Sequence, residues 1–293
     1  MATPKMAPGL ASALLQRQDT NSTIVAKSTP YNTYPTTITK QATTPLHPHG
    51  QLLHDPNYVT TDFDALRFNA AANTQLIRHH DQQPAVSNSL PRTSQQEDGS
   101  QQTSGLLISS PYNHLGHYLD ISSSALPKPS RLFALALTAL QPTVSTYATT
   151  AYTEALNLDA VLSLLRDLIH DEGQDGEAFT WKETAFYAVV FRSKLKEEID
   201  NDYLYKLDFE SHREACESGG LLKYWFGKTD GERRNLATCF WHTREDAYKG
   251  GLGPWHKKAR AAGRELYESI VFTTHRFTVL DGAEGYRFED WNT

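Results

Sequence analysis

The stretch 221–280 constrains the fold most, because strand-like and helix-like patterns follow each other there with clear boundaries. Two short runs of apolar and aromatic residues, Leu221–Phe226 and Leu236–Trp241, flank a polar loop that contains Asp230-Gly231. Two such runs joined by a loop with a glycine are typical of a β-hairpin. This part of the chain therefore predicts two adjacent antiparallel strands.

A helix and a further strand follow the hairpin. Gly253-Pro254 predicts a helix start, since proline is tolerated in the first helical turn, where its missing N–H is not needed. Apolar residues then recur at helical spacing, which predicts one buried helix face; they are Trp255, Ala259, Ala262, Leu266 and Ile270. The run His275–Leu280 predicts a last strand, and the aromatic tail after it is expected to pack back on the domain.

Elements before this stretch are also recognisable. The periodicity predicts a helix over Asn157–His170. A helix over Asp202–Ser218 is indicated by acids at its start and by Gly219-Gly220 after its end, and the apolar run Ala185–Phe191 indicates a strand that is apolar on both faces. We interpret Arg131–Gln141 as a strand inside a covered sheet, with a helix as the alternative because alanine and leucine favour helices. The segment 106–120 reads as a strand or as a strap across the domain.

The order of these elements indicates the fold class. From the strand at residue 185 the order is strand, helix, strand, strand, helix, strand, which is the ferredoxin-like βαββαβ plan. The strand and helix before it add an N-terminal β-α unit. We therefore expect a single α+β domain over 105–293, with a four- or five-stranded, mainly antiparallel sheet and helices on one face.

Residues 1–104 differ in composition from the rest of the chain. They are rich in Thr, Ser, Gln, Asn, Pro and His and show no lasting periodicity. Such a segment cannot bury enough apolar surface to offset its conformational entropy, so we expect a disordered tail.

Composition also narrows the classes of function. A formal charge of −6 argues against nucleic-acid binding and anionic membranes, and no apolar run approaches the length of a membrane span. The βαββαβ order also occurs in RNA-recognition domains, but Asn235–Trp241 lacks their pattern of glycines and aromatics. Two cysteines and no signal-peptide core favour a cytoplasmic protein, with nucleus and mitochondrion left open.

The sequence lacks three common catalytic and phosphate-binding motifs. It has no Gly-rich phosphate loop, no G-x-S-x-G and no H-E-x-x-H. His212 and Cys216 share a helix face and His114 and His117 lie three apart, but neither pair has further ligands at metal-binding spacing. We expect neither a metal nor another cofactor.

Four segments carry a resemblance to known proteins. The sequences RLFALALTALQPT, SHREACESGGLLKYWFG, NLATCFWHTREDA and GPWHKKARAAGRELYES resemble an uncharacterised fungal protein family of the UPF class, over 106–291. The element order is also similar to that of dimeric α/β-barrel domains, such as antibiotic-biosynthesis monooxygenases. The first resemblance implies a fungal, intracellular protein, and the second implies a homodimer and a role near secondary metabolism.

One rim of the expected sheet gathers candidate site residues. Trp241 ends one strand, Trp255 and His256 begin the next helix, and Tyr224 lies in the neighbouring strand. Aromatic walls with a histidine suit a small aromatic or polyketide-like ligand, and His256 would move a proton. The plainer interpretation makes the tryptophans core anchors and leaves His256, beside two lysines, in solvent.

Two further residues complete the hypothesis. Arg192 follows one strand and His275 opens another, so either could orient a ligand, with His275 as a second candidate catalytic group. Hydrogen-bonded edge residues are the simpler interpretation of both.

Two functions remain open from the sequence. The first is a cofactor-free domain that binds or modifies a small molecule, accessory to secondary metabolism. The second is a non-enzymatic scaffold whose disordered tail recruits partners. The residues alone do not decide whether the protein is an enzyme.

Overall fold

The computed structural model describes residues 106–112, 114–172 and 179–291. The predicted disordered tail, 1–104, lies outside the described residues. The described part contains both helices and strands, so the predicted α+β class is confirmed. In chain order its helices and strands are β1 (Leu106–Ile108), β2 (Tyr118–Asp120), α1 (Lys128–Ala136), α2 (Tyr152–Ala155), α3 (Leu158–Glu172), β3 (Thr184–Leu195), α4 (Asn201–Ser218), β4 (Leu221–Phe226), β5 (Arg234–Trp241), α5 (Arg244–Gly250), α6 (Pro254–Leu266), β6 (Tyr267–Val279) and β7 (Tyr286–Asp290).

The main sheet has five strands in the order β4-β5-β3-β6-β7, and every neighbouring pair is antiparallel. The predicted hairpin is confirmed as β4 and β5, and the predicted tail contact takes the form of a fifth strand, β7. A register shift lies between Lys194 and Leu195, where the β3–β6 ladder ends.

Helices cover both faces of this sheet, whereas the sequence led us to expect helices on one face. Along β3, Phe186, Ala188 and Val190 pack in the core formed with α1 and α3, on what we call the α1 face. The alternate residues Tyr187 and Val189 pack with α4 and α5 on the α4 face. A strand that is apolar on both sides needs cover on both sides, so two helical layers follow from its composition.

The segment Arg131–Gln141, which we interpreted as a strand, is helical. Helix α1 continues as a 3₁₀ turn over Leu137–Ala139. Most of its side chains are buried, so its apolar residues surround the helix instead of forming a stripe. The extra N-terminal unit is therefore a pair of helices, α1 and α3, and the predicted β-α unit is wrong.

The other predicted helices are confirmed with small changes at their ends. Helix α4 is capped by Asp200, whose carboxylate accepts from the Tyr203 amide, and it ends at Gly219, where φ is +81°. Helix α6 ends at Leu266, so Ile270 lies in β6 and not on the helix as predicted. Strand β6 also begins earlier than the predicted His275.

The segment 106–120 forms a strap along the edge of the sheet. Its two short strands pair with each other, and the Ser109 carbonyl accepts a hydrogen bond from the Tyr224 amide at 2.9 Å. Leu107 packs with the α1-face core and Tyr112 with the α4-face core. The strap thus covers the outer edge of β4 and brings its own side chains onto helix α4.

Candidate functional site

One face of helix α4 carries polar residues where a core helix would carry apolar ones. Asp208, Ser211 and His212 lie at spacings of three and four residues, so they share the face that Leu204 and Ala215 continue. Asp208, Ser211 and His212 are each fully buried. Burying polar groups is costly unless they are hydrogen-bonded, so the partners of these side chains decide what the site can do.

The Asp208 carboxyl is held by two tyrosines. Tyr224 on β4 donates its hydroxyl hydrogen bond to Oδ1 at 2.8 Å, and Tyr112 on the strap donates to Oδ2. Burial raises the pKa of Asp208 to about 8, although both hydroxyls act to lower it. Near neutral pH the carboxyl therefore holds its proton and can donate it.

A pair of histidines lies beside this carboxyl. The Nδ1 atoms of His117, on the strap, and His212 are 2.8 Å apart, and the two ring planes are parallel. One Nδ1 must donate and the other accept, so the two rings hold a defined pair of tautomers. Burial, together with the neighbouring His117 and His256, holds the pKa of His212 well below its usual value, so this ring is neutral.

Aromatic side chains connect the two pairs. The Tyr112 ring centre is 5.4 Å from that of His117 and 5.2 Å from that of His212. The Phe209 ring lies 5.3 Å from Tyr112, edge to face. We call Tyr112, His117, Asp208, Ser211, His212 and Tyr224 the Asp208 cluster. It combines a neutral carboxyl, three hydroxyls and two imidazoles, of which that of His212 is neutral, with the Phe209 ring beside them.

Ser211 contributes a further polar atom to this cluster. Its Oγ is buried and has no hydrogen-bond partner among the described residues. Buried polar atoms almost always find a partner, so this hydroxyl calls for one, such as a bound water or a ligand.

His256 is buried, and the interpretation that leaves it in solvent is wrong. Its Nδ1 lies 2.9 Å from Oε2 of Glu214, while Oε1 of the same carboxylate accepts from the Trp255 amide at 2.7 Å. Burial would raise the pKa of Glu214, but these hydrogen bonds lower it. Glu214 thus ties the start of α6 to α4, while the next two residues, Lys257 and Lys258, are exposed.

The structure brings some of the predicted site residues together. Tyr224 and Trp241 both lie in the α4-face core, and His256 is close enough to influence the charge on His212. Trp255 is half-buried, with the Lys258 ammonium 3.8 Å from its ring centre.

Arg192 and His275 lie on the opposite face of the sheet. The Arg192 guanidinium donates to the carbonyls of Ala148 and Thr150. His275 stacks on Phe288 at 4.2 Å and its Nδ1 is 3.2 Å from Asp290. The sheet separates both residues from Tyr224, Trp241 and His256.

Sequence reasoning missed Tyr112, His117 and Asp208 as members of a site. One signal was present: Asp208 interrupts the apolar stripe of α4 at a position where Leu204 and Leu207 predict burial. The contact with Tyr112, 96 positions earlier in the chain, has no local signal in the sequence.

The described residues offer neither a metal-ligand cluster nor a membrane-spanning helix. Among residues 106–112, 114–172 and 179–291, no group of three or more His, Cys, Asp or Glu side chains could hold a metal ion. No helix in the same ranges is long and apolar enough to span a bilayer.

Comparison with known proteins decides the family. The sequence profile of the PB2B2.08-like family matches residues 108–290. The chain belongs to this family. Within the curated proteins, the UPF0643 protein PB2B2.08 of Schizosaccharomyces pombe is 34% identical over 188 residues, which cover 62% of this chain and 82% of the yeast protein. The resemblance to an uncharacterised family of the UPF class is thereby confirmed.

The region that matches the PB2B2.08-like profile contains the whole Asp208 cluster. It also contains Glu214 and His256, and it begins at the end of β1. The cluster and the sheet that positions it are therefore parts of the PB2B2.08-like region and not of the segment before it.

Proposed function

We propose that this domain binds a small aromatic molecule at the Asp208 cluster and transfers a proton to or from it without a metal or an organic cofactor. The observation that carries the proposal is Asp208 itself, a fully buried carboxyl bound by two tyrosine hydroxyls. A purely structural core would be at least as stable with apolar residues there, because burying ionisable groups costs free energy.

The chemistry follows from the protonation states. A neutral carboxyl beside tyrosine hydroxyls can donate to a developing oxyanion, such as an enolate or phenolate. The neutral His212 can accept a proton, and a planar ligand admitted by displacement of the strap would take the place of strap side chains that now pack against Phe209. Ser211 adds a hydroxyl that can position the ligand. Because Tyr112 and His117 belong to the strap, a displacement of the strap would admit the ligand.

The fold supports the same proposal. We assign the strands β3, β4, β5 and β6 to a ferredoxin-like sheet, because their spatial order and antiparallel pairing agree with the βαββαβ plan. In that plan the face covered by the two crossover connections is the α4 face, and the Asp208 cluster lies on it. Under this proposal the ligand is of polyketide type. The protein acts in the cytoplasm of a fungal cell, in a role near secondary metabolism.

Ligand titration with matched variants tests the proposal. Phenol, 4-hydroxybenzoate and 1-naphthol serve as probes for the full-length chain, with binding followed by saturation-transfer NMR and calorimetry. We expect at least one probe to bind and Asp208→Asn and Tyr224→Phe to weaken it about tenfold or more, since the first removes the acidic proton donor and the second removes a tyrosyl hydrogen bond. Binding should also decline as the pH rises through about 8, where Asp208 loses its proton.

The control is another buried tyrosine, on the other face of the sheet. Tyr152→Phe removes a hydroxyl hydrogen bond of 2.8 Å to Thr238 in the α1-face core and should leave binding unchanged. If no probe binds to the wild type, or if all three variants bind equally, the cluster is structural and the scaffold function is favoured.

A further inference from the structure

Strand β6 has a long outer edge that β7 covers only in part. Strand β7 pairs with His275–Val279, and the Trp291 amide then donates to the Thr274 carbonyl at 2.9 Å. On the N-terminal side of Thr274, no strand in the described parts of the chain pairs with the outer edge of Ser269–Thr273.

The backbone geometry of this edge is defined by its neighbours. In an antiparallel ladder, alternate residues direct both their N–H and C=O groups to the same side. Because the Thr274 carbonyl points outward to Trp291, the backbone groups of Ile270 and Phe272 also point outward. Regular pairing with β3 starts at Ser269, just after the register shift. The open edge is therefore a window of regular strand from Ser269 to Thr273.

The composition of the window is unusual for an open edge. It reads Ser-Ile-Val-Phe-Thr, with no charge and no proline, and the Val271 side chain is 60% exposed. Natural proteins protect open edges with charges, prolines or bulges. The outermost strand β7 follows that rule, since it carries Arg287, Glu289 and Asp290.

We propose that a second copy of this chain pairs with the window, antiparallel, about a two-fold axis at Val271. The outward-pointing residues then form the hydrogen-bonded pairs, Ile270 with Phe272 of the second copy and the reverse, while the two Val271 side chains meet at the axis. The two sheets join edge to edge into one continuous sheet.

The register follows from the geometry. Residues that lie directly opposite in a sheet share a face, and a two-fold axis perpendicular to the sheet keeps each residue on its face. The axis must therefore pass through a residue pair and not between two positions. Only an axis at Val271, the midpoint of Ser269–Thr273, pairs the whole window, and it opposes no like charges. The uncharged window can therefore pair with its own copy over its whole length, with the apolar Val271 side chains in contact.

The expected strength is modest. Pairing of one short strand edge belongs to the small class of interfaces, below about 1,200 Å² in total, so the dimer should form at micromolar concentration or above.

The test measures the mass of the full-length chain by sedimentation from low to high micromolar concentration. The wild type should rise from 32.9 kDa toward twice that mass. Val271→Lys should stay monomeric because its two lysines would meet at the axis, while Val144→Lys, at another exposed valine, should behave as the wild type. Val271→Glu alone should also stay monomeric, but an equal mixture with Val271→Lys should dimerise again.

Hydrogen exchange identifies the occupant of the edge. Protection of the Ile270 and Phe272 amides should increase with protein concentration in the wild type. A monomeric wild type, a Val271→Lys variant that still dimerises, or a mixture that does not recover would overturn the proposal. Protection that does not depend on concentration would assign the edge to a segment of the same chain and would overturn it as well.

Discussion

At the scale of single residues, the unusual pKa of Asp208 has a measurable consequence for stability. Its folded pKa of about 8 lies above the ordinary 3.8, so between these values the folded state holds a proton that the unfolded chain has released. The contribution of Asp208 to the free energy of unfolding is fully present below the unfolded pKa of 3.8. It is lost as the pH rises towards the folded pKa of about 8. The lowered pKa of His212 has the opposite effect on stability. Below the ordinary histidine pKa of 6.5 the unfolded chain takes up a proton while the buried ring stays neutral, so stability falls as the pH drops.

We predict that Asp208→Asn removes this loss. Between pH 6.5 and 8 the wild type should lose about 2 kcal/mol more stability than the variant, at 1.36 kcal/mol per pKa unit. Urea unfolding of both proteins at the two pH values measures the difference. Equal losses in the two proteins would show that Asp208 is already ionised at pH 6.5.

His256 supports the fold, contrary to the interpretation that leaves it in solvent. We predict that His256→Ala costs about 2–4 kcal/mol, because it leaves a buried space and deprives Glu214 of one hydrogen bond. The control is the exposed neighbour Lys257→Ala, which should change stability by about 0.5 kcal/mol or less. Similar denaturation midpoints for the two variants would contradict this assignment.

At the scale of elements, helix α6 packs on its neighbours through a stripe that the sequence predicted as far as Leu266. Ala259, Ala262 and Leu266 are buried in a cluster with Leu204 and Leu207 of α4. The stripe thus faces a second helix as well as the sheet.

We predict that Leu266→Ala costs about 2–5 kcal/mol, as for other leucines that leave a cavity in a core. Lys258→Ala removes a cation–π contact with Trp255 at an exposed site and should cost about 1 kcal/mol or less. Thermal melting of the two variants measures the contrast, and equal shifts would refute the facing of the helix.

At the scale of the whole molecule, the strap joins the two cores. It covers the edge of β4 through the Ser109–Tyr224 hydrogen bond and supplies Tyr112 and His117 to the Asp208 cluster. Removing it would expose an edge strand and admit water to a buried carboxyl.

We predict that a fragment of residues 106–291 unfolds cooperatively, whereas a fragment of residues 121–291 is less stable by several kcal/mol. The loss combines unpaired backbone groups with buried side chains that lose their cover, each of which costs about 1–3 kcal/mol. Calorimetry on both fragments measures it. A shorter fragment as stable as the longer one would show that the strap is only peripheral.

Local patterns determined much of this fold. The stripes of α3, α4 and α6 and the β4–β5 hairpin are visible in the sequence, because burial on one side of a regular element imposes its period on the residues. The segment Arg131–Gln141 was ambiguous for the same reason, since a stretch that is apolar all round has no period to display.

The sequence by itself determined most helices and strands, and with them the α+β class, because these depend on neighbours within one turn or one strand. It also determined the family, through similarity to related sequences. Only the tertiary structure decided which helices cover each face of the sheet and that His256 is buried beside lysines. The Asp208 cluster exists only in the folded structure, since Tyr112 and Asp208 lie 96 positions apart in the chain. The charge state of that carboxyl depends on how much water the surrounding layers exclude, and that exclusion exists only when α4, β4 and the strap are packed together.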